Sequence, residues 1–163
     1  MNMKKVLLIL TIVLLFVGSA AAQPRPITKG TWSCGLILQT GTRRAFSIGA
    51  GVQYVPVEKI RADLNMNYYF AVNYDLNLNV HYLFDVHQER LYVYPLVGFT
   101  AANMDAASEL ERHYPRESHV GVNLGGGMEW LIDYDLSLMV EARHAFMKNI
   151  GHTALAAGLR LKF

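Results

Sequence analysis

Arg61-Ala-Asp-Leu-Asn-Met-Asn-Tyr-Tyr-Phe70, followed after three intervening residues by Tyr74-Asp-Leu-Asn-Leu-Asn-Val-His-Tyr-Leu-Phe84, decides the fold class. In the first segment Ala62, Leu64, Met66, Tyr68 and Phe70 share one face, and Arg61, Asp63, Asn65, Asn67 and Tyr69 share the other. In the second, Leu76, Leu78, Val80, Tyr82 and Phe84 oppose Asp75, Asn77, Asn79 and His81. A period of two residues is that of a β-strand with unlike faces. Asparagine is a poor strand former, so its repeated use on one face requires that face to be wet or hydrogen-bonded.

The same template fits Thr31–Gln39, Ala45–Tyr54, Leu91–Ala101, Val120–Trp130, Tyr134–His144 and Thr153–Phe163. Each is close to the ~9–11 residues of a tilted transmembrane strand. With the two segments above, they predict an all-β fold, an eight-stranded antiparallel up-and-down barrel over residues 31–163. One face is rich in Leu, Val, Tyr and Phe. The other collects Gln53, Arg61, Asp63, Asp75, Glu129, Asp135, Glu141, Arg143, Arg160 and Lys162, with Gly49, Gly51, Gly121, Gly125 and Gly127.

Two barrels compete for this pattern. A soluble lipocalin turns the apolar face inward and opens on Gly-x-Trp, as Gly30-Thr31-Trp32 does; an outer-membrane barrel turns that face to lipid. The membrane orientation is favoured. It makes Tyr68, Phe70, Tyr74, Tyr82, Phe84 and Trp130 interfacial girdles, and it uses the glycines to make room inside for Arg and Glu. A lipocalin also needs a helix after its last strand, where this sequence reaches Phe163.

Residues 1–22 have the order of a secretory signal peptide: Lys4 and Lys5, an apolar run from Val6 to Val17, then Ala20-Ala21-Ala22. The run is too short for the ~20 residues of a spanning helix, and Cys34 lies too far beyond it for lipoprotein processing. Residues 23–30, with Pro24 and Pro26, read as an extended lead-in. Of the 163 residues 52% are hydrophobic and 17% charged, so the surface is short of charge for a soluble domain. Lys4 and Lys5 account for the whole net charge of +2, which leaves no electrostatic footprint for nucleic acid. The single cysteine, Cys34, excludes an intramolecular disulfide framework and a cysteine-based zinc site.

Chemistry at a site finds little support. His81 and His144 fall on opposite faces, while His87, His113, His119 and His152 fall in loops or at strand ends, so no metal is expected. A lipid-modifying acyl transferase would need Ser, His and carboxylate to converge. Only Ser118 and His119 are adjacent near the external end, and neighbours on a strand point to opposite faces, so neither enzyme nor cofactor is predicted.

Turn lengths orient the barrel. Thr40–Arg44, Ala71–Asn73, Ala102–His119 and Ala145–His152 are expected outside, with Val55–Ile60, Asp85–Arg90 and Leu131–Asp133 as periplasmic turns. The long Ala102–His119 loop, with Asp105, Glu109, Glu111, Arg112, Arg116 and Glu117, is the obvious surface for a partner. Pro95, inside the fifth strand, predicts a local bulge, because a closed barrel has no free edge for it.

The last strand, Gly158-Leu159-Arg160-Leu161-Lys162-Phe163, resembles the terminal strand by which outer-membrane barrels are recognised by their insertion machinery. With Tyr92-Val93-Tyr94-Pro95-Leu96-Val97-Gly98, Gly121–Glu129 and Leu136–Glu141, the chain resembles the small outer-membrane β-barrel ("porin family") proteins of Bacteroidota-type bacteria, akin in architecture to OmpA and OmpX barrels. The resemblance implies a fold, an insertion route and an outer-membrane location reached through the periplasm, and it carries over no catalytic residues. Gly158, Leu159, Leu161 and Phe163 are then the insertion signal.

Eight strands enclose a lumen only about wide enough for side chains. Arg61, Asp63, Glu129, Glu141, Arg143 and Arg160 must therefore pair inside it, which predicts a plugged barrel with a structural or surface-interaction role. Glu129 and Glu141 are expected to pair with arginines among Arg61, Arg143 and Arg160. A narrow channel for small solutes is the alternative.

Overall fold

The computed structural model describes residues 25–42, 44–69, 73–104, 117–148 and 150–163. Nine strand segments form one antiparallel sheet: β1 (Trp32–Gly41), β2 (Arg44–Val57), β3 (Ile60–Tyr69), β4 (Asn73–Tyr82), β5 (Phe84–His87), β6 (Leu91–Met104), β7 (Glu117–Leu131), β8 (Leu136–Met147) and β9 (Ile150–Lys162). β4 and β5 both pair with β6 and are two lengths of one wall strand, so the wall has eight strands. It closes where β1 meets β9, from Ser33↔Lys162 to Gly41↔Ala154, which removes every sheet edge from solvent.

The alternation read from the sequence is the alternation of the wall. Leu78, Val80 and Val122 point outward, half-exposed, whereas Asn79 and Asn123 point inward and are fully buried. The lipocalin orientation is therefore inverted in this barrel: apolar side chains form its outer surface. Tyr68, Tyr74, Tyr82, Phe84 and Trp130 are among those outward side chains; Phe70 lies outside the described residues.

Trp32, Phe163 and three short connections, after Val57, His87 and Leu131, mark one end of the barrel, here the terminal end. The opposite, distal end holds the Gly41 to Arg44 turn. Several strands run further than hydrophobic alternation suggested. The predicted loop at 145–152 shortens, because β8 and β9 pair up to Met147↔Ile150. The seventh wall strand begins at Leu136 instead of Tyr134. The predicted loop at 102–119 shortens likewise, with β6 and β7 paired out to Met104↔Glu117. Asp105, Glu109, Glu111, Arg112 and Arg116 lie outside the described residues, as do 1–24, which include the predicted signal peptide. Backbone pairing continues beyond the residues that carry the apolar alternation, which is why these boundaries moved.

Two prolines sit where the ladder gives them room. Pro56 lies in the irregularity between Tyr54↔Ala62 and Val57↔Ile60, a bulge. Pro95 does not. Pairing with β4 ends at His81↔Leu96 and resumes with β5 at Phe84↔Val93, three residues further along both strands. The register is unchanged, so the ladder is interrupted at Leu83 without a bulge, and the missing Pro95 N–H falls in that gap. The expected bulge is corrected accordingly.

Candidate functional site: the polar interior

Along β3 the inward residues Arg61, Asp63, Asn65, Asn67 and Tyr69 step from the terminal end to the distal end, and all are buried. They form the spine on which three clusters assemble. A buried polar group left without a partner is costly; most atoms of the clusters are satisfied, and Asn67 Oδ1, His81 Nε2, Asn123 Oδ1 and Arg160 Nη1 have no hydrogen-bond partner among the described residues.

Nearest the terminal end, Arg61 is ion-paired through Nη1 with Glu129 on β7, both about 1% exposed. Its Nε and Nη2 lie 3.2 and 3.0 Å from His81 Nδ1. The guanidinium sits 4.8 Å from the Tyr94 ring centroid, and His81 stacks on the same ring at 4.5 Å. The second oxygen of Glu129 accepts the Ser137 hydroxyl at 2.5 Å. The site thus spans β3, β4, β6, β7 and β8.

Above it, Asp63 gathers donors from four side chains. Arg160 Nη2 on β9 donates at 3.2 Å, Gln53 Nε2 at 2.8 Å and Asn79 Nδ2 at 3.5 Å, with Asn65 Nδ2 as the fourth. Arg160 also directs Nε and Nη2 at the Met139 sulfur, 3.1 and 3.0 Å away. Its acidic partner is therefore Asp63, a carboxylate outside the Glu129 and Glu141 pairings expected from the sequence.

Towards the distal end, Asp75 accepts from Asn67 at 2.7 Å, Asn77 at 2.6 Å and the Tyr69 hydroxyl at 2.6 Å. Arg143 stands 3.6 Å from Glu141 and 3.8 Å from Asp75, and donates to Gln39 Oε1 at 2.7 Å. Glu141 also accepts the Tyr94 hydroxyl at 3.2 Å, which ties this cluster to the first. Asn123 reaches from β7 to Asn77 and Asn79, each at 3.0 Å, and crosses between the second and third clusters.

The six side chains singled out from the sequence, Arg61, Asp63, Glu129, Glu141, Arg143 and Arg160, are all buried inside the wall. The structure adds Asp75, Gln39, Tyr69 and Tyr94 as equal members. Asp75 and Tyr69 were visible on the polar face of their strands. Tyr94 was not, because tyrosine reads as apolar in an alternation count. His152, expected in a loop, is buried within β9 with its ring 6.2 Å from that of Tyr69.

Glycines set how closely these groups approach. A Cβ on Gly127 would meet the Tyr94 hydroxyl at 2.7 Å, and one on Gly125 would meet Arg143 Cα at 2.7 Å. Gly158 lies inside the wall, while Leu159, Leu161 and Phe163 alternate outward, so the proposed insertion signal presents an apolar outer face. Among the described residues no group of three His, Cys, Asp or Glu could hold a metal ion.

No family model matches the sequence. No curated protein matches it either. Solved structures do match the fold. The N-terminal β-barrel domain of Pseudomonas aeruginosa OprF superposes with a TM-score of 0.73 at 14% identity, covering 84% of this chain and 100% of that one. Neisserial surface protein A gives 0.56 at 15% identity, covering 82% and 96%. Ail, the attachment invasion locus protein of Yersinia pestis, gives 0.58 at 10% identity, covering 83% and 100%. The fold is that of the eight-stranded transmembrane barrels of outer membranes.

Proposed function

We propose that this protein is an integral outer-membrane β-barrel with a structural or surface-interaction role and a lumen closed by its own side chains. The observation that carries the reading is the pairing of an apolar outer surface with a filled interior. Leu36, Phe99, Val97 and Leu124 are more than half exposed on the outside, whereas Arg61, Asp63, Glu129 and Arg160 are about 1% exposed or less within. Neither arrangement suits water. The outer face needs lipid, and charges so enclosed are tolerable only when paired.

In this reading the terminal end faces the periplasm, residues 1–22 are the export signal, and Gly158, Leu159, Leu161 and Phe163 engage the insertion machinery. The kinship with "porin family" barrels of Bacteroidota type belongs to the same proposal and names an architecture, since a lumen of this width holds side chains and little else. No catalytic role is assigned to the interior. Its carboxylates are engaged with arginines, amides and hydroxyls.

Surface interaction is supported by the longest hairpin. β6 and β7 have 14 and 15 residues and pair to Met104↔Glu117, beyond the ~9–11 residues needed to cross a bilayer. Ail, a barrel of the same fold, has been solved with the heparin analogue sucrose octasulfate. The partner of this chain is proposed as a surface ligand of the loop predicted at 102–119.

Single-channel recording in a planar bilayer tests the closed lumen. The refolded protein is expected to show rare or no openings, with more in the Glu141→Ala variant, which leaves Arg143 short of a carboxylate. Steady conductance in the unmutated protein, unchanged by substitutions at Glu129 or Glu141, would refute the closure and establish a channel.

A further inference from the structure

Residues 25–31 cross the terminal mouth of the barrel instead of trailing from it. Arg25 N–H donates to the Tyr134 carbonyl at 3.1 Å, beside the β7–β8 connection, and the Arg25 carbonyl accepts Lys162 Nζ of β9 at 2.5 Å. Two residues on, Ile27 N–H donates to the Tyr92 hydroxyl of β6 at 3.3 Å. The segment then turns at Thr28–Thr31. Thr31 N–H reaches the Thr28 carbonyl at 3.1 Å, Thr28 N–H reaches Thr31 Oγ1 at 3.2 Å, and Gly30 supplies the φ of +89° that such a turn requires at its third residue. It lands on β2 through Gly30 N–H to the Val55 carbonyl, 2.8 Å, and Val55 N–H to the Thr31 carbonyl, 3.1 Å. In the order of the wall β2 lies three strands from β6 and three from β8, so these anchors stand on different sides of the mouth.

What the segment covers is one of three apolar clusters of the interior among the described residues. Leu83, Tyr92, Tyr94, Leu96 and Leu131 form an apolar layer inside the terminal mouth, and Ile27 packs against it from below. The Arg61–Glu129 pair touches the far side of this layer through Tyr94. An inward apolar layer in a polar lumen gains nothing from facing water, and Ile27 is the residue that shields it. Arg25, Thr28, Lys29 and Gly30 are exposed, and Ile27 is the segment's apolar contact with the barrel, so its hydrogen bonds lie open to solvent and place it at the low end of local stability.

We propose that residues 25–31 form a strap that seals the terminal mouth, and that its displacement admits water and small solutes up to the Arg61–Glu129 pair while the wall stays intact. The proposal rests on the closed-lumen reading for its significance, but it makes a separate claim about one end of the barrel.

The test is cysteine accessibility in nanodiscs, where both mouths meet solvent, on a Cys34→Ser background. Leu83→Cys reports the layer beneath the strap; Thr100→Cys, an inward position paired with Asn77 and Gly121 farther from the terminal end, reports the lumen beyond. With the strap intact, a membrane-impermeant maleimide should react slowly at position 83. Ile27→Asp should raise that rate by about tenfold or more, since labelling follows the open population, and leave position 100 unchanged. Gly30→Ala provides a second opening variant, because nothing lies within 4 Å of the added Cβ and only the backbone turn is strained. An unchanged rate at position 83 in either folded variant, or an equal rise at position 100, overturns the proposal. Rare or no openings of the unmutated protein together with strap-independent labelling at position 83 would overturn the strap and leave the closed lumen standing.

Discussion

Removing the Glu129 carboxylate strands Arg61 in the place least able to tolerate it. Both side chains are about 1% exposed, and the remaining neighbours of the guanidinium are His81 Nδ1 and the face of Tyr94. Breaking a buried pair from one side costs about 3–5 kcal/mol, because the surviving charge stays enclosed. Glu129→Ala should fall in that range, since it also deprives the Ser137 hydroxyl of its acceptor. Glu129→Gln keeps the volume and an acceptor for Ser137, and should cost about 1–3 kcal/mol. Removing both charges should be far milder than the single changes suggest, because an apolar pair of similar volume is often neutral in such a site. The Arg61→Met/Glu129→Met double variant is therefore expected to show a coupling of about 2 kcal/mol against its two single variants. Guanidinium unfolding in detergent micelles, followed through Trp32 and Trp130, measures the four proteins of that cycle and the Glu129→Ala and Glu129→Gln variants. Additivity within about 0.5 kcal/mol would show that the two charges do not depend on one another, and the paired interior would be refuted.

Depth in the membrane should be readable from substitutions on the outer face. Val80→Arg, at mid-wall, is expected to cost about 2–4 kcal/mol and Val86→Arg, in β5 at the terminal rim, no more than about 1 kcal/mol, when unfolding is measured in lipid vesicles; equal costs would contradict the placement of the lipid band. Assembly should depend on where an aromatic stands more than on its exposure. Phe163→Asp is expected to reduce the folded, membrane-inserted fraction in cells several-fold more than Phe46→Asp, although both rings are largely exposed, and equal insertion of the two would dismiss the terminal signal.

Arg61 to Tyr69 was legible because a strand in a barrel of this kind writes its two environments into alternate residues, and asparagine at every second position is disfavoured in a strand unless one face is polar throughout. Face was therefore readable, residue by residue. Height was not. Whether Arg160 stands level with Asp63 or with Glu129 depends on the stagger of strands that meet across the lumen, and no local pattern records it. Strand ends were misread for a related reason: Thr40 and His152 carry no apolar signal, yet their backbones remain in the ladder. Tyr69 and Tyr94 show the limit of sorting residues into apolar and polar. Each buries its ring and spends its hydroxyl on a carboxylate, Asp75 and Glu141 respectively. The strap was legible only as a lead-in with prolines, because its meaning lies in Tyr92, Tyr134, Lys162 and Val55, all distant in sequence.

The meeting of β1 and β9 has a kinetic corollary. Every other junction in the wall joins neighbours along the chain, so hairpins can form as soon as their residues are available, within microseconds for isolated examples. The last junction joins Gly41 to Ala154 and Ser33 to Lys162, with more than a hundred residues of chain between the partners. Loop-closure entropy must be met before any of its hydrogen bonds is gained, so this pairing should come late and set the pace of the whole reaction. Until then β1 and β9 each present a bare edge beside an apolar face, the combination most prone to pairing with a stranger. Slow closure therefore makes the interval before it, and whatever protects the chain during that interval, as consequential for this barrel as the stability of the finished wall.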